Sequence, residues 1–336
     1  GGAGFIAHHT IRHLLQNTDW EIVSLDRLDY SGNLNRIADM MTEFDKETQK
    51  RVRIVYHDLR AEINEMLTAD LGKFDYIVHM AASSHVDRSI EDPMTFVLDN
   101  VVATCNILNF GRKQENLERF IYFSTDEVFG PAPKGVNYKE RDRYNSTNPY
   151  SATKAGGEEL CVAFENTYDM PIYITHTMNV FGERQHPEKF IPMTIKNARD
   201  GNLVTIHSDS DKKIPGSRHY IHAKDVADGM LFLLHNQDKI SNLDKDYGGA
   251  KCPKFNLVGP VEWDNLVLAQ KIAMSQNKEL KYEMVDFHTS RPGHDLRYAL
   301  DGSLMKELGW EPKVSIDERI SQVVNWTLNN DRWLKL

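Results

Sequence analysis

Two short segments of this 336-residue chain carry side chains whose types and spacing could do acid–base chemistry. In "FIYFSTDEVFG", residues 120–130, an apolar run closes on Thr125 and two adjacent carboxylates, Asp126 and Glu127. In "PYSATK", Tyr150 and Lys154 stand four apart, which places both on one face of a helix. A phenol with a pKa of about 10 is a poor base at neutral pH, but a neighbouring ammonium and a cationic ring favour the phenolate, which then takes a proton from a hydroxyl group. Taken singly, a Tyr/Lys pair is commonplace on amphipathic helices and an acidic dipeptide usually caps a solvated loop. Position argues otherwise here: Thr125 ends a predicted strand, and open α/β sheets bind ligands beyond the carboxyl ends of their strands.

Short β-branched and aromatic runs alternate with helical patterns over the first half. Predicted strands close at Asp26, Leu59, Ala81, Thr125 and Val180, with helices over 5–16, 61–71, 93–112 and 149–168 between them. Such alternation predicts an α/β fold with a Rossmann-type doubly wound parallel sheet over residues 1–182. After about Gly182 the alternation fades into Pro- and Gly-containing loops. Residues 183–336 read as a smaller mixed α/β substrate domain, some segments of which return to the first, with helices over 187–200, 223–236, 263–276 and 316–329.

The chain opens on "GGAGFIA", a turn in which glycines let the backbone approach a pyrophosphate held at the following helix N-terminus. Asp26, ending the next strand about 20 residues on, is placed to accept both ribose hydroxyls of NAD and to repel the 2′-phosphate of NADP. Gly1, Gly4, Phe5 and Ile6 are accordingly assigned to the cofactor, together with Asp58 toward the adenine amino group and Leu59 beside it. No strand precedes the turn, and the numbering is expected to begin after an absent first strand.

The bulk properties narrow the partners. A formal charge of −9 argues against a nucleic-acid or anionic-membrane surface. No apolar run reaches the roughly 20 residues a membrane span needs. Cys105, Cys161 and Cys252 lack zinc or disulfide spacing, which fits a reducing cytoplasm, and "HYIH" (219–222) is a poor metal site, so no metal is expected.

The glycine turn, Thr125 and the Tyr150/Lys154 pair together resemble the extended branch of the short-chain dehydrogenase/reductase superfamily, over essentially the whole chain. Within it, "STDEVFG" resembles the motif of the dTDP-glucose and UDP-glucose 4,6-dehydratases. The 4-epimerases carry neither carboxylate after the Ser/Thr, and the decarboxylases, with "TSEVYG", carry one. The resemblance implies oxidation at C4, loss of water across C5 and C6 with Glu127 as base and Asp126 as acid, and hydride return to C6. It further implies that Ala81, Ala82 and Ser83 of "HMAASSHVDRSI" line the cofactor, with Ser84 and His85 toward substrate. Asn179, Glu188 and Lys189 are carried over as sugar or diphosphate contacts, Arg218, Arg291 and Asn256 as diphosphate contacts, and His294 as a neighbour of the base. A homodimer through the helices after Pro93 and Pro149 is also implied. The chain departs from the family at His176, at the longer loop 208–217, at His219 and Tyr220, and at Ser290, departures read as falling on the substrate side. The alternatives are an extended-branch decarboxylase or epimerase, and a catalytically dead NAD-sensing protein.

Overall fold

A computed structural model describes residues 1–243, 252–286 and 297–335. Its strands are β1 (Ile22–Asp26), β2 (Val52–Tyr56), β3 (Tyr76–His79), β4 (Arg119–Thr125), β5 (Ile172–Thr177), β6 (Val180–Phe181), β7 (Val204–Ser208), β8 (Ser217–His219), β9 (Ile221–His222), β10 (Lys254–Leu257), β11 (Glu262–Asp264) and β12 (Tyr282–Asp286). β3, β4, β5 and β10 form one parallel sheet in the order β10-β5-β4-β3, and β1 pairs in parallel with β2. Gly1 lies between the two: its amino group donates to Leu25 O at 2.6 Å, and a Cβ there would meet Ala81 Cα at 2.7 Å.

Both faces of the central sheet are covered, so its strands are apolar throughout rather than alternating. In β4, Phe120 and Tyr122 pack with Ile172 and Ile174 against Ile107 and Leu108. Ile121 joins Tyr173 on the opposite face, against Val226, Met230 and Leu233 of the Ala223–His235 helix. This is the doubly wound Rossmann-type arrangement. A strand from the second half of the chain, β10, pairs with β5.

Several elements depart from the sequence expectation. β2 stops at Tyr56, and the run toward Val180 breaks after Thr177 into β5 and β6. The expected helix 61–71 begins at Glu65, where Asn64 caps it, and that over 187–200 begins at Phe190. The expected helix 263–276 opens as β11 before Asp264 caps Asn265–Met274. Helices Leu34–Met41, Lys46–Lys50 and Ser303–Leu308 were not expected. The run after Pro93 is helical throughout, but Leu98–Val102 forms a π turn.

The Pro149–Tyr168 helix matches its predicted bounds for a local reason. Pro149 stands at its first turn, and Asn148 and Ser151 close a reciprocal capping box. Gly157 lets this helix lie close on β4, since a Cβ there would stand 2.2 Å from the Tyr122 hydroxyl and 3.2 Å from Asn100 O. Gly157→Ala is therefore expected to destabilise the protein by roughly 1–3 kcal/mol in urea unfolding, despite the helix propensity alanine adds. Equal or greater stability would mean that the helix has room to shift.

Candidate active site

The last three residues of β4 are each held by one residue of a single helix face. Tyr150 hydrogen-bonds with Thr125. Lys154 Nζ donates to Phe123 O at 2.6 Å. Ser124 Oγ donates to Glu158 Oε1 at 2.5 Å. Tyr150, Lys154 and Glu158 follow one another at four-residue spacing, so one helix face is pinned to the strand end that carries the two acids.

Thr125 Oγ1 also donates to Asp126 Oδ1 at 3.0 Å, and Asn148 Nδ2 donates to Glu127 Oε2 at 3.0 Å. Burial, reinforced by the charge of Glu127, pushes the Asp126 carboxyl up to about 7, against which the Thr125 hydrogen bond and the charge of Arg218 act. Asp126 thus keeps a proton near neutrality. Burial, then the charges of Glu127 and Asp126, push the Tyr150 phenol well above the ordinary value. Lys154, expected to favour the phenolate, donates one of its three N–H groups to Phe123 O and lies over the Tyr122 ring, 4.3 Å from its centroid. Burial also lowers Lys154 to about 8.

One cleft crosses the carboxyl ends of the strands. Its wall includes Gly1, Gly4, Phe5, Ile6, Asp26, Asp58, Leu59, Ala81, Ala82 and Ser83 at one end, and Ser84, His85, Asn179, Glu188 and Lys189 at the other, with Thr125, Asp126, Glu127, Tyr150 and Lys154 between. The first end suits a dinucleotide. Gly4 N bonds Gly1 O at 3.0 Å, and no side chain caps the Phe5–Asn17 helix, which leaves its first N–H groups for a phosphate. Asp26 fixes the turn by accepting from Ala3 N (3.0 Å) and Leu28 N (2.7 Å), with lone pairs left for a ribose. Asp58 is engaged by Arg60, through N at 3.0 Å and Nε at 2.8 Å.

At the other end Glu188 lies among His186 Nδ1 at 3.5 Å, His85 Nε2 at 3.8 Å and an Arg88 nitrogen at 3.9 Å, with burial lowering both imidazoles below their ordinary value. Arg218 is not part of the wall, although its charge reaches Asp126; it donates to Ser217 O at 2.7 Å and lies over the Tyr298 ring. Asn256, expected near the phosphates, is fully buried in β10. Its amide donates to Tyr138 O and Asp301 O, which leaves it no reach to a ligand. Arg291, His294 and the departure at Ser290 lie outside the described residues.

His176 also corrects an expectation, since it does not face the substrate. It is fully buried behind β4, with Nε2 3.2 Å from Glu158. The loop 208–217 folds on itself, Asp209 accepting from the backbone of Lys213 and Ile214, and is not part of the cleft wall. Of the remaining departures, Tyr220 lines the cleft, whereas His219 Nδ1 engages Gly259 O.

Sequence reasoning missed Arg27, Asp99 and Asn100. Arg27 follows Asp26 and makes a bidentate pair with Asp99 at 2.5 and 2.8 Å. Asp99 also accepts from Ser83 Oγ at 2.6 Å, and Asn100 bonds both Ser83 N and Ser83 O. The π turn thereby anchors the cofactor-facing loop. The signal available was an Asp–Asn pair inside an otherwise apolar helical run.

A family model described as GDP-mannose 4,6 dehydratase matches residues 1–323. The chain is 36% identical over 332 residues to the low-salt glycan biosynthesis protein Agl12 of Haloferax volcanii, covering 98% of each. It is 31% identical over 360 residues to a dTDP-glucose 4,6-dehydratase of Escherichia coli, covering 99% of this chain and 93% of the other. The crystal structure of DesIV, a dTDP-glucose 4,6-dehydratase from Streptomyces venezuelae with NAD bound, superposes with a TM-score of 0.84 at 31% identity, covering 100% of this chain and 97% of that one.

The environment of Asp126 makes stability depend on pH. The unfolded chain releases this proton near pH 3.8 and the folded one near pH 7, so ionisation across that window disfavours the folded state. The stability advantage of Asp126→Asn over the parent should grow by roughly 2–3 kcal/mol between pH 5 and pH 8, then level off, in urea unfolding of the ligand-free protein. An advantage that does not change with pH would mean that Asp126 titrates as an ordinary carboxylate.

Proposed function

The chain belongs to the GDP-mannose 4,6 dehydratase family of extended short-chain dehydrogenases, and on that premise we propose that it is an NAD-dependent 4,6-dehydratase of a nucleotide-linked glucose, dTDP- or UDP-glucose. The observation that carries this reading is the pair Asp126 and Glu127 directly after Thr125, in one cleft with Tyr150 and Lys154. A decarboxylase or an epimerase has no use for the acid at Asp126, and the intact set of five side chains speaks against a protein without catalysis.

NAD would lie along Gly1, Gly4, Asp26 and Ala81 to Ser83, and when bound it would supply the chemistry of a hydride acceptor toward C4 of the sugar and a hydride donor toward C6. Tyr150, aided by Thr125, takes the C4 hydroxyl proton. The phenol is costly to ionise in this cleft, so the positive charge of the bound nicotinamide has to join that of Lys154 in favouring the phenolate. Once C4 is a ketone the C5 proton is acidified. Glu127 takes it while Asp126 protonates the C6 hydroxyl, which leaves as water. Glu127 returns its proton to C5 as hydride reaches C6. Tyr150 then holds one proton that Asp126 lacks. Thr125, bonded to both, offers the path that restores the starting state.

We assign the dinucleotide to residues 1–182 and the nucleotide sugar mainly to 183–336, with Ser84, His85, Asn179, Glu188, Lys189 and Arg218 on the substrate side. We further infer a homodimer through the helices after Pro93 and Pro149, because Met94, Val97 and Leu98 expose apolar surface there at helical spacing. A cytoplasmic location suits the free thiols Cys105, Cys161 and Cys252. Among the described residues no helix is long and apolar enough to cross a membrane.

Purified protein given dTDP-glucose or UDP-glucose, without added reductant, should yield the 4-keto-6-deoxy sugar, read by its absorbance in alkali. Unchanged substrate from protein carrying NAD would end the proposal. Glu127→Gln should still reduce bound NAD when substrate is added, seen by absorbance, yet release dehydrated product at least 100-fold more slowly. Product formation by that variant at the parent rate would remove Glu127 from its role.

A further inference from the structure

Glu158 has no assigned part in the reaction, yet it is among the most engaged side chains of the interior. Its carboxyl is fully buried behind β4. Four groups from four segments converge on it: Ser124 Oγ of β4 at 2.5 Å, His176 Nε2 of β5 at 3.2 Å, Lys254 Nζ of β10 at 3.2 Å, and the Tyr144 hydroxyl. Lys254 Nζ also bonds the Tyr144 hydroxyl, which closes the cluster. A buried carboxylate with this many donors stays ionised: burial would raise it, but His176, Lys254 and the Ser124 hydrogen bond outweigh burial and hold it down at about 2.

The place of that fixed negative charge is what matters. Glu158 is the third member of the helix face that begins with Tyr150 and Lys154. Its Ser124 clamp sits between the two residues those catalytic side chains bind, Phe123 and Thr125. We propose that Glu158 is a positioning residue of this reaction, whose buried charge holds Lys154 as an ammonium and whose hydrogen bond to Ser124 sets the end of β4 under Thr125 and Asp126.

This inference rests on the dehydratase reading and deepens it. The surroundings of Lys154 leave Glu158 as its main anionic support. His79 of β3 and Tyr122 of β4 are neutral groups buried beside it, Tyr150 is a phenol, and Cys161 on its own helix is a buried thiol pushed far above the ordinary value by burial. Burial lowers Lys154 to about 8, with Glu158 the strongest opposing influence. Without that charge the ammonium would be lost at lower pH, taking with it the help it gives the phenolate.

The test is the hydride step alone. Single-turnover reduction of the bound dinucleotide by dTDP-glucose or UDP-glucose is followed by absorbance across pH 6 to 9.5, on parent enzyme and on Glu158→Gln. The isosteric amide keeps an acceptor for Ser124 but removes the charge. The alkaline limb should move down by about 1 pH unit. Glu158→Asp, which restores the charge on a shorter arm, should return the limb to within a few tenths of a unit of the parent even where it lowers thermal stability. If Glu158→Gln fails to fold because Lys254 is left without its counter-charge, the double variant Glu158→Gln/Lys254→Met removes the paired charges together and should move the limb in the same direction, by less than the single variant because the opposing charge of Lys254 is lost with it. A folded charge-removing variant with the parent's alkaline limb would overturn the inference, as would an equal shift in Glu158→Asp. A parent enzyme that shows no substrate-driven absorbance change would overturn the dehydratase reading first and this inference with it.

Discussion

The seating of the Pro149–Tyr168 helix on β4 governs the rest of the site. The end of β4 runs past the end of β3, so its last residues have ladder partners only in β5. Phe123, Ser124 and Thr125 are held further by Lys154, Glu158 and Tyr150, one polar contact each, from a helix face that repeats every four residues. Gly157 permits the approach and Tyr122 fills the space beneath Lys154. The acid pair then follows with no freedom to swing into solvent, since Asp126 is bonded back to Thr125 and Glu127 to Asn148, the cap of that same helix. Nucleophilic and acidic groups separated in sequence are thus referenced to one short stretch of backbone.

β4 also divides two electrostatic environments. On its far side Glu158 meets Lys254, His176 and two hydroxyl groups, so burial is overcome and the carboxyl lies near 2. At the cleft, Asp126 faces another carboxylate and little compensating charge, so the same burial lifts it to about 7. Two acids on neighbouring segments are driven apart by roughly 5 units through their partners alone, which is how one fold keeps a structural anion and a proton donor side by side. The exposed surface contributes little to this, since ion pairs such as Lys50–Glu47 are screened by water.

How much of this could be read beforehand follows from which interactions are local. Asn148 and Pro149 announce a helix start, and the apolar run 119–125 announces a strand end, so the elements that carry Thr125, Asp126, Glu127, Tyr150 and Lys154 were legible. The π turn at Leu98–Val102 was not, because periodicity does not register one extra residue in a turn; with it went Asp99 and Asn100, which hold Ser83 from 16 and 17 residues away, and Arg27, which pairs with Asp99 across 72 residues. The short strands β6 to β9 offer two to five residues each and pair with distant partners, leaving too little pattern to detect. Asn256 was misplaced because a motif match cannot say whether an amide points at a ligand or, as here, bonds the carbonyls of Tyr138 and Asp301. The raised phenol of Tyr150 is of the same kind: spacing put Lys154 on its face, but only the fold shows that burial and two carboxylates oppose the phenolate.

His176 shows what a family departure does when it is followed into the interior. The family resemblance places an arginine where His176 stands, and its planar fork would satisfy both oxygens of Glu158 at once. Imidazole offers a single nitrogen, because its other one is 3.0 Å from Asn256 Oδ1. The remaining lone pairs of Glu158 need other donors, and Lys254 Nζ and the Tyr144 hydroxyl supply them from β10 and from the loop before the helix. The anion itself stays where it meets Ser124, with added donors on β10 and in the loop before the helix. It also explains why Asn256 is committed to structure: its Oδ1 fixes the imidazole while its amide hydrogens tie β10 to the segments carrying Tyr138 and Asp301. His176 and Asn256, read from the sequence as lying on the substrate side, are in this chain parts of one scaffold.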